Sequence, residues 1–458
     1  MNPVRAGRAA AVLAGAAAAL ALVSGAGQGS AVAAAAARAA TPQTAWGTTT
    51  SAPAGASGEL FGVAAASPAD VLAAGGYNPG QPPTALLTKP YAEHWNGTGW
   101  SATSVPLGTV YPAGQAAQLN GVADVAAGDG WAVGTVSDPS SLASQTLAYH
   151  WDGAAWTRSP TPDPAGAALT NELSAVAARA ANDVWAAGGD NYPEVSLVAH
   201  WNGSVWRQVR VPNAGPLDAV TVAHGNVWAA GGDQVDQFNG STWAKLPPPP
   251  VASQGYVTIT GLADTAAGLW AVGSVGFSCG EGSVCTASYA ALWNGTAWTE
   301  TPAAGTGLSG VAAAGSKVLA TSPAGVLRLT PTSATPQVTP ALNPLQLNAI
   351  AADPAGNPWA AGWTTAQGKV TPAIINAPGI GQGGITVATG ASAATLTWTG
   401  PATGAGTTDS SGHFAVGGLP DGSYTVIASL PGCQPGTATA QVTAGFATPV
   451  NAHITCPP

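Results

Sequence analysis

Leu173-Ser-Ala-Val-Ala-Ala178, Asn182-Asp-Val-Trp-Ala-Ala-Gly-Gly189 and Leu197-Val-Ala-His-Trp-Asn-Gly-Ser-Val-Trp206, closed by Pro212, form one unit of a grammar that recurs along the chain. The units start near Leu60, Leu119, Leu173, Leu217, Ile259, Leu308 and Leu347. Their second block places a bulky residue at Leu72, Trp131, Trp185, Trp228, Trp270, Leu319 and Trp359, at intervals of 59, 54, 43, 42, 49 and 40 residues. Repeats of about 40–50 residues that supply four strands each are the spacing of propeller blades. The reading is therefore all-β: a seven-bladed β-propeller.

Each block has a strand rationale. Leu-x-x-Val-Ala-Ala is an inner strand whose small side chains can crowd around a central axis. Val-Trp-Ala-Ala-Gly is β-rich with a bulky residue at every second position, so its Trp packs between blades, and its glycine permits a sharp exit. The third block carries Asn96-Gly97, Asp152-Gly153, Asn202-Gly203, Asn239-Gly240 and Asn294-Gly295 between apolar runs. Asn-Gly and Asp-Gly suit a two-residue type I′ hairpin. The flanking aromatics Trp95/Trp100, Trp151/Trp156, Trp201/Trp206, Phe238/Trp243 and Trp293/Trp298 then become diagonal neighbours on one face. Fifteen of the 17 tryptophans, Trp46 included, fall on repeat positions and read as core rather than sugar platforms. Trp363 and Trp398 fall outside the pattern.

The seventh unit stops at Pro378 without a final Trp-bearing strand, whereas Thr44-Ala-Trp46 to Pro53 reads like Thr296-Ala-Trp298 to Pro302. An N-terminal strand at 44–53 should complete the last blade, which removes an exposed sheet edge.

Arg5 and Arg8, the Ala-rich run Ala9–Val23 and the small residues up to Ala40 read as a signal peptide, too short in its apolar part to span a bilayer. Its loss would take three of the 12 basic residues and move the net charge from −9 to −12. An acidic chain with no basic cluster lacks the footprint for nucleic acid or an anionic membrane. Cys279, Cys285, Cys433 and Cys456 match no metal spacing, and proximity in an exported chain favours the pairs 279–285 and 433–456.

After a Gly-rich linker at 379–383, residues 384–458 alternate strand and turn as a small β-sandwich. On Val-Trp-Ala-x-Gly-Gly followed by His-Trp-Asn-Gly-x-x-Trp, the propeller domain at 41–378 resembles, over about residues 44–378, kelch-type and galactose-oxidase-like propellers, above all the exported repeat proteins of actinomycetes. On Asp409-Ser-Ser-Gly-His-Phe414 and Leu419-Pro-Asp-Gly-Ser-Tyr424, the tail resembles the carboxypeptidase regulatory-like domain, related to prealbumin-like and starch-binding-like folds. The likeness implies an accessory module, of which some bind carbohydrate, with Trp398 either a sugar platform or core. Cys433 stands where that family carries an aromatic.

A galactose-oxidase-like copper site would need Tyr and His ligands and a cross-linked Cys. His94, His150 and His200 instead sit in the repeated hairpin and read as packing, while His224, His413 and His453 have no ligand spacing. A glycosidase needs a carboxylate pair. Asp70 and Asp183 read as turn residues, and among Asp138, Asp163, Asp190, Glu194, Asp233 and Glu281 nothing singles out two. Asp353 to Trp359, the one stretch suggesting an antibiotic lyase, reads as a turn. No catalytic residue, metal or cofactor is assigned.

Recognition should lie where the repeat breaks down, in loops joining the second to the third strand and one blade to the next. Those loops carry Tyr77, Asn78, Tyr111, Asp138, Asp190, Asn191, Tyr192, Asp233, Tyr256, Phe277 and Trp363. The expectation is a secreted, monomeric binding or scaffold protein, extracellular or wall-associated, whose loop face meets a glycan or an extracellular protein. An extracellular carbohydrate-active or copper-radical oxidase-like enzyme is the alternative.

Overall fold

The computed structural model describes residues 47–49, 57–79, 87–107, 115–138, 141, 143–166, 169–191, 194–212, 215–251, 255–280, 283–337, 345–366, 369–377, 383–401, 403–408, 412–419, 422–442 and 447–457. Among them there is no helix, and residues 47–376 form seven four-stranded antiparallel sheets. Sheets 1 to 6 are sequential meanders over 57–103, 116–158, 172–209, 219–245, 256–300 and 310–336. Sheet 7 takes three strands from 345–376 and its fourth from the far end of the chain. Gly47–Thr49 pairs antiparallel with Lys369–Asn376, Thr48 opposite Ile375. Residues 44–46, with Trp46, and 50–53 lie outside the described residues, as do 1–40.

The sheets form a closed ring. Each first strand touches the first strand of the next sheet, and that of sheet 7 touches that of sheet 1. Between sheets a single packing rule holds: the bulky second-strand residue of one sheet lies against the outer hairpin of the next. Trp131 meets Trp201 and Trp206 at ring distances of 4.8 and 5.2 Å, and Trp185 meets Phe238 and Trp243 at 5.2 and 5.9 Å. Leu72 clusters with Trp151 and Trp156, Trp228 with Trp293 and Trp298, Trp270 with Leu327 and Leu329, and Leu319 with Ile375. Trp359 of sheet 7 closes the circle against Trp95 and Trp100 at 5.7 and 5.8 Å. Of these tryptophans Trp131, Trp151, Trp156, Trp185, Trp206, Trp228, Trp270, Trp293 and Trp359 are buried. An indole wedged this way contributes its full apolar area plus the aromatic contact geometry.

Two local expectations need correction. The hairpins are not two-residue type I′ turns. That turn needs positive φ at both central residues, and only the glycines have it (Gly97 +89°, Gly203 +91°). The preceding Asn or Asp uses its side chain instead. Asn96 Oδ1 accepts the N–H groups of Thr98 and Gly99, both at 3.0 Å, and Asp152, Asn202, Asn239 and Asn294 do the same. Four residues therefore close each loop, and the aromatics are direct partners, Trp95 opposite Trp100 and Trp201 opposite Trp206. Nor does the second-strand glycine mark an exit, because its strand runs on past it. A Cβ on Gly75, Gly134, Gly188 or Gly273 would stand about 2 Å from the carbonyl oxygen of Glu59, Gln118, Glu172 or Thr258. That carbonyl approaches because the first strand bulges immediately afterwards, at Phe61, Asn120, Ser174, Thr260 and Asn348.

Residues 383–457 form a separate sandwich. A three-stranded sheet, with Gly383–Ala388 antiparallel to His413–Leu419 and parallel to Ala447–Asn451, faces a four-stranded antiparallel sheet. Tyr424, Leu396, Val426, Ile385 and Ile454 fill the core. Trp398 belongs to that core, 9% exposed with its ring 5.7 Å from Phe414, so it is no sugar platform. Both disulfides are present: Cys279–Cys285 and Cys433–Cys456. The second fastens the C-terminal segment to the turn after Gly422–Ser429.

Candidate functional site

The two ends of the sheets are built differently. At one end lie the four-residue Asx loops and the tight turns between first and second strands. Histidines brace this end. His94 Nε2 lies 2.6 Å from Asp70, His150 2.8 Å from Asp129 and His200 2.9 Å from Asp183. His200 also stacks on Trp185 at 4.2 Å. Burial raises the Asp183 carboxyl, but its bonds from Arg179, Trp185 and His200 outweigh that and hold it below the usual range. Asp70 reaches the next sheet through Gly128 N–H at 2.9 Å. Asp124 accepts Ala66 N–H at 3.2 Å, and burial, followed by the Asp70 and Asp129 charges, pushes it up to about 8. Asp70 and Asp124 thus brace neighbouring sheets, and the His–Asp pairs brace strands within a sheet.

The opposite end carries the irregular loops and the start of every first strand. Tyr256 is the most exposed aromatic among the described residues, 61% open, its ring lying over Gly276, where any Cβ would collide with it. Phe277 is half-buried opposite Cys285 and, one residue on from Gly276, points to the other face of the sheet from the Tyr256 ring, and Val284 of the disulfide-pinned loop is also 61% exposed. Sheet 5 thus places Tyr256 and the Cys279–Cys285 loop with Val284 on the rim at this end.

The remaining expected residues are spread around the ring. Tyr77 packs edge-on against Tyr91 at 5.8 Å, and Asn78 is buried. Asp138 is half-buried, and its N–H donates to Ala143 O at 2.9 Å. Asp190 and Asn191 end the strand Asp183–Asn191, opposite Val195 and Glu194. Asp233 is exposed in the turn with Gly232. Trp363 is half-buried between Gln346 and Pro372. Tyr111 and Tyr192 lie outside the described residues. Asp163 is a loop brace, accepting Thr146 N–H and Oγ1–H at 2.8 Å.

Sequence reasoning missed an inner polar belt, formed by the residues on either side of the first-strand leucine. Gln118 Nε2 donates to Asn120 Oδ1 at 2.8 Å, and Asn120 Nδ2 donates to Glu172 Oε1 at 3.1 Å and to Leu173 O at 2.9 Å. The same sheet-to-sheet link recurs as Thr260 to Leu308 O, Ser309 to Leu347 O and, across the closure, Asn348 to Leu60 O, at 2.8, 2.6 and 2.8 Å. Glu59 lies in this belt, and burial pushes it up to about 7. The signal was the polar residue at the second position of Leu-x-x-Val-Ala, which reads as a spacer until the bulge is known. Among the described residues no group of three or more His, Cys, Asp or Glu side chains could hold a metal ion, and no helix is long and apolar enough to cross a membrane.

The solved structures similar to this chain are β-propeller proteins. YCF48 bound to a D1 peptide is 14% identical, with 73% of this chain and 96% of that one covered and a TM-score of 0.42. A streptogramin B lyase gives 12%, 72%, 96% and 0.44, and a virginiamycin B lyase from Staphylococcus aureus 12%, 69%, 94% and 0.44. No curated protein sequence matches this chain. Residues 382–455 match the carboxypeptidase regulatory-like domain family, and the C-terminal sandwich is similar to that module.

Proposed function

We propose that the chain is an exported, non-catalytic binding protein. The seven sheets are the blades of a kelch-like propeller over residues 41–378, residues 1–40 are a signal peptide removed on export, and residues 384–458 are an accessory module. The irregular end of the ring meets a neutral glycan on the cell wall or a secreted polymer, and an extracellular protein is the competing partner.

The observation that carries this is the asymmetry between the two ends. Of the exposed large apolar side chains in the ring among the described residues, Tyr256, Val284 and Leu169 lie at the irregular end, and Val205 at the other. Exposed apolar residues at one end, outside a core in which most of the repeat tryptophans are buried, mark a contact surface. A ring held open over glycine suits stacking on a pyranose face. Binding of the purified protein to a glycan array and to isolated cell walls tests the reading. Tyr256→Ala should reduce the strongest signal up to about tenfold, the loss of one stacking contact of about 0.5–1.5 kcal/mol, with the melting temperature unchanged. No binding to any glycan or wall preparation would refute it.

One observation favours an enzyme instead. Glu59, held near 7, has the affinity for protons that a general acid or base needs at neutral pH. Turnover of a polysaccharide, abolished by Glu59→Gln, would establish that reading.

A further inference from the structure

At the irregular end, sheet 5 projects between two short neighbours. Its second strand, Gly268–Ser278, runs eight residues past the bulky Trp270, whereas those of sheets 4 and 6 stop at Gly231 and Ser322, three past Trp228 and Leu319. The excess is about 17 Å of strand. The Cys279–Cys285 disulfide pins the tip of the hairpin. Its third strand, Val284–Trp293, is covered on the outer side only near the base. The fourth strand pairs with Ala291–Trp293. Beyond that, Ala290 O accepts Thr301 N–H at 2.8 Å, and Ser288 N–H donates to Gly305 O at 3.0 Å. Backbone groups alternate sides along an antiparallel strand, and this one pairs with its inner neighbour without a register shift, so Thr286 and Val284 also turn theirs outward. Among the described residues no strand pairs with them on that side, and both are exposed.

A strand edge that stands clear is a template for association, and folded chains blunt such edges with charge, proline or a cover. The other long third strands of the ring follow that rule. In sheet 1 the strand opens with Lys89-Pro90, in sheet 3 with Glu194, and in sheet 7 it carries Lys369 and Pro372. In sheet 2 Ser144 is covered, its N–H bonded to Leu169 O and its carbonyl to Asn171 N–H, both at 3.1 Å. Val284-Cys-Thr-Ala-Ser288 has neither charge nor proline.

We propose that the outer edge at Val284–Ala287 docks an extended, uncharged segment of another polypeptide, which joins sheet 5 as an added strand. The edge presents N–H and C=O groups in alternation, a pattern that a second backbone matches and a sugar or an ion does not. The absence of charge along it suits a neutral guest. This chain already completes one sheet in the same manner, since Gly47–Thr49 is the added fourth strand of sheet 7. A second copy of the chain is the poorer occupant, because so short an edge buries far less than the roughly 800 Å² per partner of a stable dimer. Tyr256 stands on the first strand of the sheet and this edge on the third, so the site is independent of glycan binding at Tyr256.

The test is to pan a display library of random short peptides on the full protein, with counter-selection on Thr286→Pro. Proline at an outward-facing edge position leaves the inner ladder intact, so that variant should fold, and it lacks the N–H that a guest strand needs. Enriched peptides should be uncharged and alternate β-branched residues. They should bind Thr286→Pro about fivefold more weakly or worse, since a guest carbonyl loses its donor, and bind Tyr256→Ala as they bind the natural chain. Hydrogen exchange gives the direct readout: the Val284 and Thr286 amides, fast in the free protein, should become slow in the complex. If Thr286→Pro melts early, Val284→Lys replaces it, a charge on the edge that leaves the backbone in place and should weaken the same peptides. The proposal is overturned if no peptide is enriched, if the enriched peptides bind the edge variant equally well, or if those two amides exchange unchanged on binding. A free protein that is dimeric, with both amides already protected, overturns it in favour of a second copy.

Discussion

Replacing Trp359 with Ala removes the side chain that joins the last sheet to the first. Trp359 is 3% exposed and touches Trp95 and Trp100, residues more than 250 positions earlier in the chain. Truncating a buried Trp costs about 3–5 kcal/mol in lost transfer energy and cavity. Two ring contacts at roughly 0.5–1.5 kcal/mol each push toward the top of that range. Against this, the Trp359 indole N–H has no partner among the described residues. Removing a buried unpaired donor returns about 1 kcal/mol or more. The balance is a loss of about 3–4 kcal/mol, large against the stability of a typical domain.

Urea unfolding followed by far-ultraviolet circular dichroism measures it. Trp100→Ala and the double variant complete a cycle whose coupling should be about 1 kcal/mol. Trp363→Ala serves as the control, since Trp363 is half-buried and outside the repeat. A loss below about 1 kcal/mol for Trp359→Ala, or a coupling indistinguishable from zero, would mean that the ring does not depend on this contact. The closure argument would then fail.

Two further perturbations follow from the inner strands and their neighbours. Gly134→Ala places a methyl group 2.0 Å from Gln118 O, a backbone atom that cannot rotate away. It should therefore destabilise by about 3 kcal/mol or more, and a melting temperature within a degree of the natural chain would exclude the clash. Asp124 gives a pH dependence with a definite sign. Its folded pKa near 8 lies above the ordinary 3.8, so the folded chain keeps a proton that the unfolded chain releases. That contribution is complete below about pH 4 and is lost as pH rises toward 8, at up to about 1.4 kcal/mol per unit. Asp124→Asn should flatten the fall in stability between pH 5 and 8, whereas parallel profiles for the two proteins would show that the carboxyl titrates normally.

The fold was legible because its determinants are repeated side chains at fixed spacing. Trp131, Trp185 and Trp228 recur with the same neighbours, and the second-strand position packs as the pattern suggests even where Leu72 or Leu319 replaces Trp. The hairpins were misread because Asn-Gly suits two turn geometries. What separates them is where the Asn side-chain oxygen bonds, which depends on the N–H groups two and three residues on rather than on the dipeptide. The glycine of Trp-Ala-Ala-Gly was misread for a similar reason. Gly75 is required by the carbonyl of Glu59, a residue in another strand, and a bulge on that strand leaves no trace in composition. The rim at Tyr256 was partly legible, since departure from the repeat marked it, but its exposure depends on Gly276, twenty residues away.

These observations explain why one end of the ring is free to vary. Most side-chain contacts that tie sheet to sheet lie in the middle and at the turn end: the Trp wedges, the Asn120, Thr260, Ser309 and Asn348 links, and the Asp70 and Asp124 bonds to the neighbouring sheet, while at the irregular end Ile259 N–H bonds Gly232 O at 2.8 Å. The turn end is uniform because each Asx loop must deliver its two aromatics opposite one another to receive the next sheet's bulky residue. No comparable demand falls on the irregular end, where two residues, Gly232 and Asp233, suffice in sheet 4 and a disulfide-pinned loop stands in sheet 5. Substitution there leaves the wedges untouched, so the end that contributes least to closure is the one on which a recognition surface such as the Tyr256 rim can change without unfolding the ring.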